Sequence, residues 1–162
     1  MTIKKLELYH WEAIKYIYEA GINTGNATLE TTIPDWETWN KNHLMHCRLV
    51  CELDERVAGW VALTSVSDRR VYGGVSEVSI YIHPDFKGLG IGYFLIRNLI
   101  TESEANGIWT LHAAILEENN ASIRLHEKSG FRKIGVREKI GQLNGVWRNI
   151  VLFEKRSKVV GV

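Results

Sequence analysis

Residues 82–95 read IHPDFKGLGIGYFL. Ahead of them the β-branched, alternating run VSEVSIYIH over 75–83 predicts a strand, which Pro84 stops. Glycines at 88, 90 and 92 then alternate with Leu89 and Ile91. A helical pattern follows over 89–106, with Leu95, Leu99 and Ile100 facing inward and Gly107 at its end. A helix that opens this way offers backbone N–H groups with no partner inside the helix, at the positive end of its dipole. Glycine leaves those groups open to approach, and Lys87 adds a positive charge at the mouth. The turn therefore predicts an anion site suited to a diphosphate; the purely structural alternative is a tight strand-to-helix connection.

Three familiar phosphate loops do not fit. The dinucleotide fingerprint would carry a third glycine where Tyr93 stands. A P-loop would continue into Gly-Lys-Ser/Thr, and a kinase glycine loop would be followed by HRD and DFG; the chain has none of these.

On the N-terminal side, residues 2–8 predict a strand and HWEAIKYIYEAGI (10–22) a helix. That helix shows Ile14, Ile17 and Tyr18 on one face and ends near Gly21. Pro34 and Asp35 open a second helix to about His46, with proline in its first turn. RLVCEL (48–53) and RVAGWVALTSV (56–66) predict an antiparallel hairpin turning at Asp54-Glu55. On the C-terminal side, WTLHAAIL (109–116) predicts a strand and NNASIRLHEKSG (119–130) a short helix with an asparagine start and a glycine stop. FRKIGVREK (131–139) and VWRNIVLFEK (146–155) predict two closing strands. The expected fold is α/β, with a mixed sheet of six or seven strands flanked by about four helices, in one domain over residues 1–162.

The composition, 45% apolar and 24% charged, is that of an ordinary globular chain. A net charge of +1 argues against a protein built to grip nucleic acid or an anionic membrane. No stretch approaches the about 18 apolar residues of a membrane span, and MTIKKLELYHW lacks the apolar run of a signal peptide. Two cysteines, Cys47 and Cys51, fit a reducing cytoplasm without a disulfide framework.

Lys87-x-x-Gly90-x-Gly92 resembles the Q/R-x-x-G-x-G/A signature of the GNAT superfamily of N-acetyltransferases, which cradles the pyrophosphate of acetyl-CoA. NNASIRLHEKSGF (119–131) resembles the same superfamily's second motif, N-x-x-S and a terminal G-F around a short helix. RRVYGGVSEVSIYIHP (69–84) resembles the R-x-x-Y…E-x-S-V-Y-V stretch of the phosphinothricin N-acetyltransferase group. ATLETTIPDWETW (27–39) resembles that group's substrate segment, and NGVWRNIVLFEK (144–155) its closing G-x-W-x-D strand. Four departures stand out: Lys87 for Gln or Arg, Leu29 for Phe, Asn149 for Asp, and Gly73-Gly74 for bulkier residues.

The resemblance implies that strands 75–83 and 109–116 run parallel and splay, with a pantetheine arm in the gap. Backbone groups of Ile80, Tyr81 and Ile82 would pair with that arm as an added strand does, and one N–H would hold the thioester oxygen. Lys87, Gly88, Leu89, Gly90, Ile91, Gly92 and Tyr93 would hold the diphosphate. Asn119, with Ser122, would hydrogen-bond the cofactor; Asn119 serves equally as a helix N-cap. Glu77, on one strand face with Ser79 and Tyr81, is the candidate base, with a cross-strand ion pair as its structural alternative. His126 occupies a position where many family members have tyrosine, as proton donor to the leaving thiolate or as a packing residue. Leu29, Glu30, Arg69 and Tyr72 align with the group's substrate region, Arg69 suiting a carboxylate or phosphinate through a bidentate contact or being a solvated loop charge.

His43, His46, Cys47 and Cys51 lack zinc-site spacing, so no metal is expected. His112 stands alone on its strand and reads as packed. The chain is thus expected to use acetyl-CoA to acetylate a small amino-acid-like amine, of the phosphinothricin or methionine sulfoximine type, by direct attack in a ternary complex. By likeness, it is expected to do so as a homodimer. A protein, peptide or aminoglycoside acceptor, and a non-catalytic acyl-CoA sensor, remain open as alternatives.

Overall fold

Apolar residues at successive positions, as in WVAL (60–63), mark strands covered on both faces. The computed structural model, which describes residues 1–162, places them so. Seven strands form one sheet: β1 (Thr2–Lys5), β2 (Leu49–Leu53), β3 (Arg56–Ser65), β4 (Val75–Ile82), β5 (Thr110–Leu116), β6 (Arg132–Leu143) and β7 (Val146–Arg156). Their order is β1-β2-β3-β4-β5-β7-β6, and every neighbouring pair is antiparallel except β4–β5. Four helices accompany them: α1 (Trp11–Asn23), α2 (Trp36–Asn42), α3 (Ile91–Ala105) and α4 (Asn120–Lys128).

Alternation along β2 and β3 divides the core in two. Leu49, Cys51, Val61 and Leu63 point to one side and pack with Leu95, Ile96 and Leu99 of α3. Val50, Trp60 and Ala62 point to the other and pack with Ile14 and Ile17 of α1 and Trp39 of α2. Each such aliphatic side chain stabilises the fold by about 1.5–3 kcal/mol through burial. Asp54 and Glu55 both have positive φ (50° and 61°), the backbone of a tight hairpin turn, and Asn144-Gly145 (50° and 79°) turns β6 into β7 in the same way. No helix is long and apolar enough to cross a membrane.

The boundaries differ from the sequence expectation where caps, turn contacts and backbone φ decide them. Asp35 is the N-cap of α2, its carboxylate accepting from Thr38 N–H at 2.8 Å, so Pro34 precedes the helix instead of lying in its first turn. That helix stops at Asn42, well before His46. Beyond it, the buried Arg48 guanidinium donates to the carbonyls of Asn40 (2.7 Å), His43 (2.7 Å) and Leu44 and to Asn40 Oδ1. These bonds bind the helix end and its turn to the start of β2. Helix α3 begins at Ile91 instead of 89, because Gly88 and Gly90 both take positive φ.

Cys47 and Cys51 are free and buried. Burial, with Glu102 nearby, pushes the Cys47 thiol up to about 12, and burial raises Cys51 as well. Both are expected to resist a thiol-specific reagent at pH 8 in the native protein and to react promptly in guanidinium. Fast native labelling in a stopped titration would contradict that burial.

Candidate active site

Strand β4 pairs with β5 only through Val75↔Thr110, Ser76↔Leu111 and Glu77↔His112. Beyond that point each strand keeps its outer neighbour, β4 as far as Ile82↔Gly59 and β5 as far as Leu116↔Ile150. The inner edges of 78–82 and 113–116 therefore diverge, presenting backbone N–H and C=O groups that require partners. A cleft of about 1470 Å³ opens there, more than the about 300–1,000 Å³ of a drug-sized ligand pocket. Ile80, Tyr81 and Ile82 line it.

At the cleft's wide end lies the glycine turn. Gly90 (φ 82°) is the N-cap of α3 and supplies no side-chain cap; the first bond into the helix is Phe94 N–H to Gly90 O at 3.0 Å. The N–H groups of Ile91, Gly92 and Tyr93 lie ahead of that bond and face an uncapped end. A Cβ at Gly88 or Gly90 would meet nothing within 4 Å, so these two residues supply positive φ and open frontage. Gly92 has a different reason: a Cβ there would stand 2.8 Å from Leu125 Cδ2, so it lets α4 seat against α3. Leu89 is 54% exposed and does not line the cleft. Lys87 does, and so does Lys128 from the last turn of α4, its Nζ 4.9 Å from the Tyr93 ring centroid. Lys128 makes a second cation that the sequence reading passed over.

Glu77 occupies the last paired position, at the closed end of the wedge, half-buried and on the same face as Ser79 and Tyr81. It takes part in no salt bridge. Burial raises its carboxyl pKa, with His112 and Arg137 opposing. Burial also raises the phenols of Tyr81 and Tyr18, which lie against each other further along the cleft and stay protonated.

His126 does not fit the role of acid. It is 1% exposed and packs edge-on to Phe131 at 5.0 Å. Its Nδ1 lies 2.8 Å from the Ser122 carbonyl, which can only accept, so Nδ1 carries the hydrogen and Nε2 is bare. Burial lowers its pKa as well. His126 lines the cleft, but its ring at rest is neutral and its single N–H is held by the Ser122 carbonyl, which makes it a poor donor to a leaving thiolate. Asn119 caps α4, its Oδ1 accepting from Ser122 N–H at 3.2 Å, and both residues line the cleft.

Leu29 and Glu30 line the cleft, and Leu29 lies where a side chain on Gly141 would clash, 2.7 Å from a Cβ built there. Arg69 and Tyr72 do not line it. They sit in the turn ahead of β4, beyond the wedge's closed end, exposed and stacked with the guanidinium 5.3 Å from the ring. The arginine that does reach the cleft is Arg137 of β6, brought there only by strand pairing. A side pocket of about 290 Å³, lined by Tyr18, Glu30, His43, Trp60, Ser79 and Tyr81, adjoins the Glu77 face. Across the main cleft, which Asn26 and Glu118 both line, Arg148 ties the 25–26 loop to Glu118, donating to Gly25 O (2.9 Å), Asn26 Oδ1 (2.8 Å) and Glu118 Oε2 (2.9 Å).

Two departures from the family pattern have structural reasons. Asn149 accepts from Lys139 N–H and donates to Glu117 Oε2, both at 2.8 Å; an aspartate could not donate the second bond. Gly74 lies under the Trp109 ring, whose Cε3 would be 2.0 Å from a Cβ.

A family model described as the acetyltransferase (GNAT) family matches residues 6–131. The phosphinothricin N-acetyltransferase of Alcaligenes faecalis is 32% identical over 154 residues, covering 88% of this chain and 76% of that one. The crystal structure of ribosomal-protein-alanine N-acetyltransferase from Brucella melitensis matches with a TM-score of 0.90 and 28% identity, over 97% of this chain and 100% of that one. A GNAT superfamily phosphinothricin acetyltransferase from Sinorhizobium meliloti, solved in complex with AcCoA, matches with a TM-score of 0.84 and 25% identity, over 99% and 95% of the two chains.

Proposed function

The chain belongs to the GNAT family of acetyltransferases and is an N-acetyltransferase, and from that premise we propose that it acetylates the primary amine of a small amino-acid-like substrate, with acetyl-CoA as donor, by direct attack in a ternary complex. The observation that carries this reading is the wedge between β4 and β5, with an uncapped helix end at its mouth and Glu77 at its closed end. The residues suit acetyl-CoA: open N–H groups at 91–93, no Cβ at 88 and 90, Lys87 and Lys128 for a diphosphate, and free strand edges for an amide-bearing arm. When bound, that donor supplies an acyl carbon activated as a thioester.

Glu77 takes a proton from the substrate ammonium, directly or through one water, freeing the nitrogen lone pair. A β4 backbone N–H on the open edge donates to the carbonyl oxygen as negative charge collects there. The C–N bond forms, the C–S bond breaks, and the nitrogen's second proton is lost. The thiolate would leave without a protein acid, since a thiol, with a pKa of about 8.5 by analogy with cysteine, is a competent leaving group, and would take its proton from solvent. Arg137 is positioned to pair with an acceptor carboxylate. The acceptor's small size is supported by the 290 Å³ side pocket and by the Arg148 tie across the rim of the main cleft. A cytoplasmic homodimer belongs to the same proposal, supported by apolar Val136 on β6 and Val146 and Trp147 on β7, which are exposed outside the cleft.

The test is thiol release from acetyl-CoA across amino acids, their sulfoximine and phosphinate analogues, polyamines and peptides, with calorimetry of coenzyme binding alongside. Turnover of the amino-acid class is expected. Turnover of peptides alone would overturn the acceptor, and coenzyme uptake without turnover of any amine would favour a sensor. Gly90→Val places a β-branched side chain at positive φ on the frontage meant for phosphate. Coenzyme affinity is expected to fall about tenfold or more by calorimetry, with far-UV circular dichroism unchanged.

A further inference from the structure

His112, read from sequence as a packed strand residue, lies in a polar row that crosses the sheet. Directly paired residues on neighbouring strands share a face. The registers Thr64↔Glu77, Glu77↔His112, His112↔Glu154 and Arg132↔Glu154 therefore line up five side chains from β3 to β6. The His112 ring lines the cleft, and its Nε2 stands 4.0 Å from Glu154 Oε2, one water or a small rotation away from a hydrogen bond. Glu154 in turn accepts from the exposed Arg132 guanidinium. The ionisable groups facing the ring are Glu77 from β4 and Glu154 from β7, and β6 adds Arg137 on the Glu77 side and Arg132 beyond Glu154.

We propose that His112 is a positioning residue for Glu77 and carries the amine's proton from Glu77 to Glu154 and the sheet surface. The inference rests on the N-acetyltransferase reading above. Glu77 must return to carboxylate after each turnover, and it sits at the closed end of a cleft that substrate fills. Imidazole is the side-chain group suited to taking up and returning a proton around neutral pH. Glu77 and the ring are register neighbours without a direct hydrogen bond, so one ring nitrogen accepts the proton held by Glu77 through a bridging water while the other releases its own toward Glu154 and water. The ring ends neutral in its other tautomer and resets by reorientation or exchange, so one proton leaves the cleft and no net charge accumulates.

The test compares wild type, His112→Ala and Glu154→Gln in kcat, in pH profile and in acetyl-CoA affinity. In His112→Ala, kcat is expected to fall about tenfold or more and coenzyme affinity to stay within about twofold, with added imidazole restoring turnover saturably. Glu154→Gln is expected to shift the acid limb of the profile. An unchanged rate and profile in His112→Ala would overturn the relay. So would a loss that imidazole does not restore and that tracks a lowered melting temperature. A wild type that turns over no amine would instead remove the parent reading, and the relay with it.

Discussion

Glu77→Gln is expected to lower kcat by about 10²–10⁴-fold while acetyl-CoA affinity stays where it was. The amide keeps the size and much of the hydrogen-bonding of the carboxyl group but cannot take a proton from an ammonium. Its position explains the selectivity expected: it closes the wedge, whereas the anion site proposed for the coenzyme is at the other end. The variant is also expected to be no less stable than wild type at neutral pH. Burial raises the Glu77 pKa, so the folded state holds this proton more tightly than the unfolded chain does. Ionisation therefore costs the fold stability as pH rises from the ordinary carboxylate range to the raised folded value, and glutamine removes that cost. Below the ordinary carboxylate range the two proteins should melt alike. The same shift sets the wild-type rate profile, whose acid limb should lie above ordinary carboxylate values, activity falling as pH drops through it. A pH–rate profile with parallel thermal melts checks all of this, and an unaltered kcat would take Glu77 out of the mechanism.

Arg48→Ala is expected to be the most damaging single truncation outside the cleft. The guanidinium is 3% exposed and donates to Asn40, His43 and Leu44, with its plane 5.4 Å from the Trp39 ring centroid. Truncation strands several buried acceptors at about 1–3 kcal/mol each, and partial relaxation leaves a loss of about 3 kcal/mol. For a chain of this length that is a fall in melting temperature of about 6–12 °C. Because His43 lines the side pocket and its carbonyl is one of the groups released, the acceptor KM should rise more than the coenzyme Kd. Calorimetry and steady-state kinetics check both halves. An unchanged melt would mean that the turn between α2 and β2 is held by something else.

What could be read from the sequence was local. The strand at 75–82, the helix after it and the open turn between them are written in neighbouring residues: β-branched alternation, a proline stop, glycines at positive φ. Glu77 could be placed on the right face because alternation along one strand needs no partner. The failures involve side-chain contacts and burial that periodicity along the chain does not show. Gly92 is glycine because of Leu125, and α2 ends early because of Arg48. Arg137 displaced Arg69 at the cleft because β6 is folded back by a hairpin and irregular pairing that no local pattern announces. His112 read as solitary because its neighbours lie 35 residues before it and 42 after it in the numbering. His126 was legible as a position but not as a chemical state, which depends on a carbonyl one turn back and on burial.

With only three register pairs joining β4 to β5, the sheet is a four-stranded leaf and a three-stranded leaf stitched at one margin. A ligand threaded through the gap supplies the missing stitches. On the function proposed above, the bonds that would orient the reactive carbonyl are the same bonds that would make the two leaves move as one body, so cohesion of the molecule and readiness for chemistry would rise and fall together with occupancy.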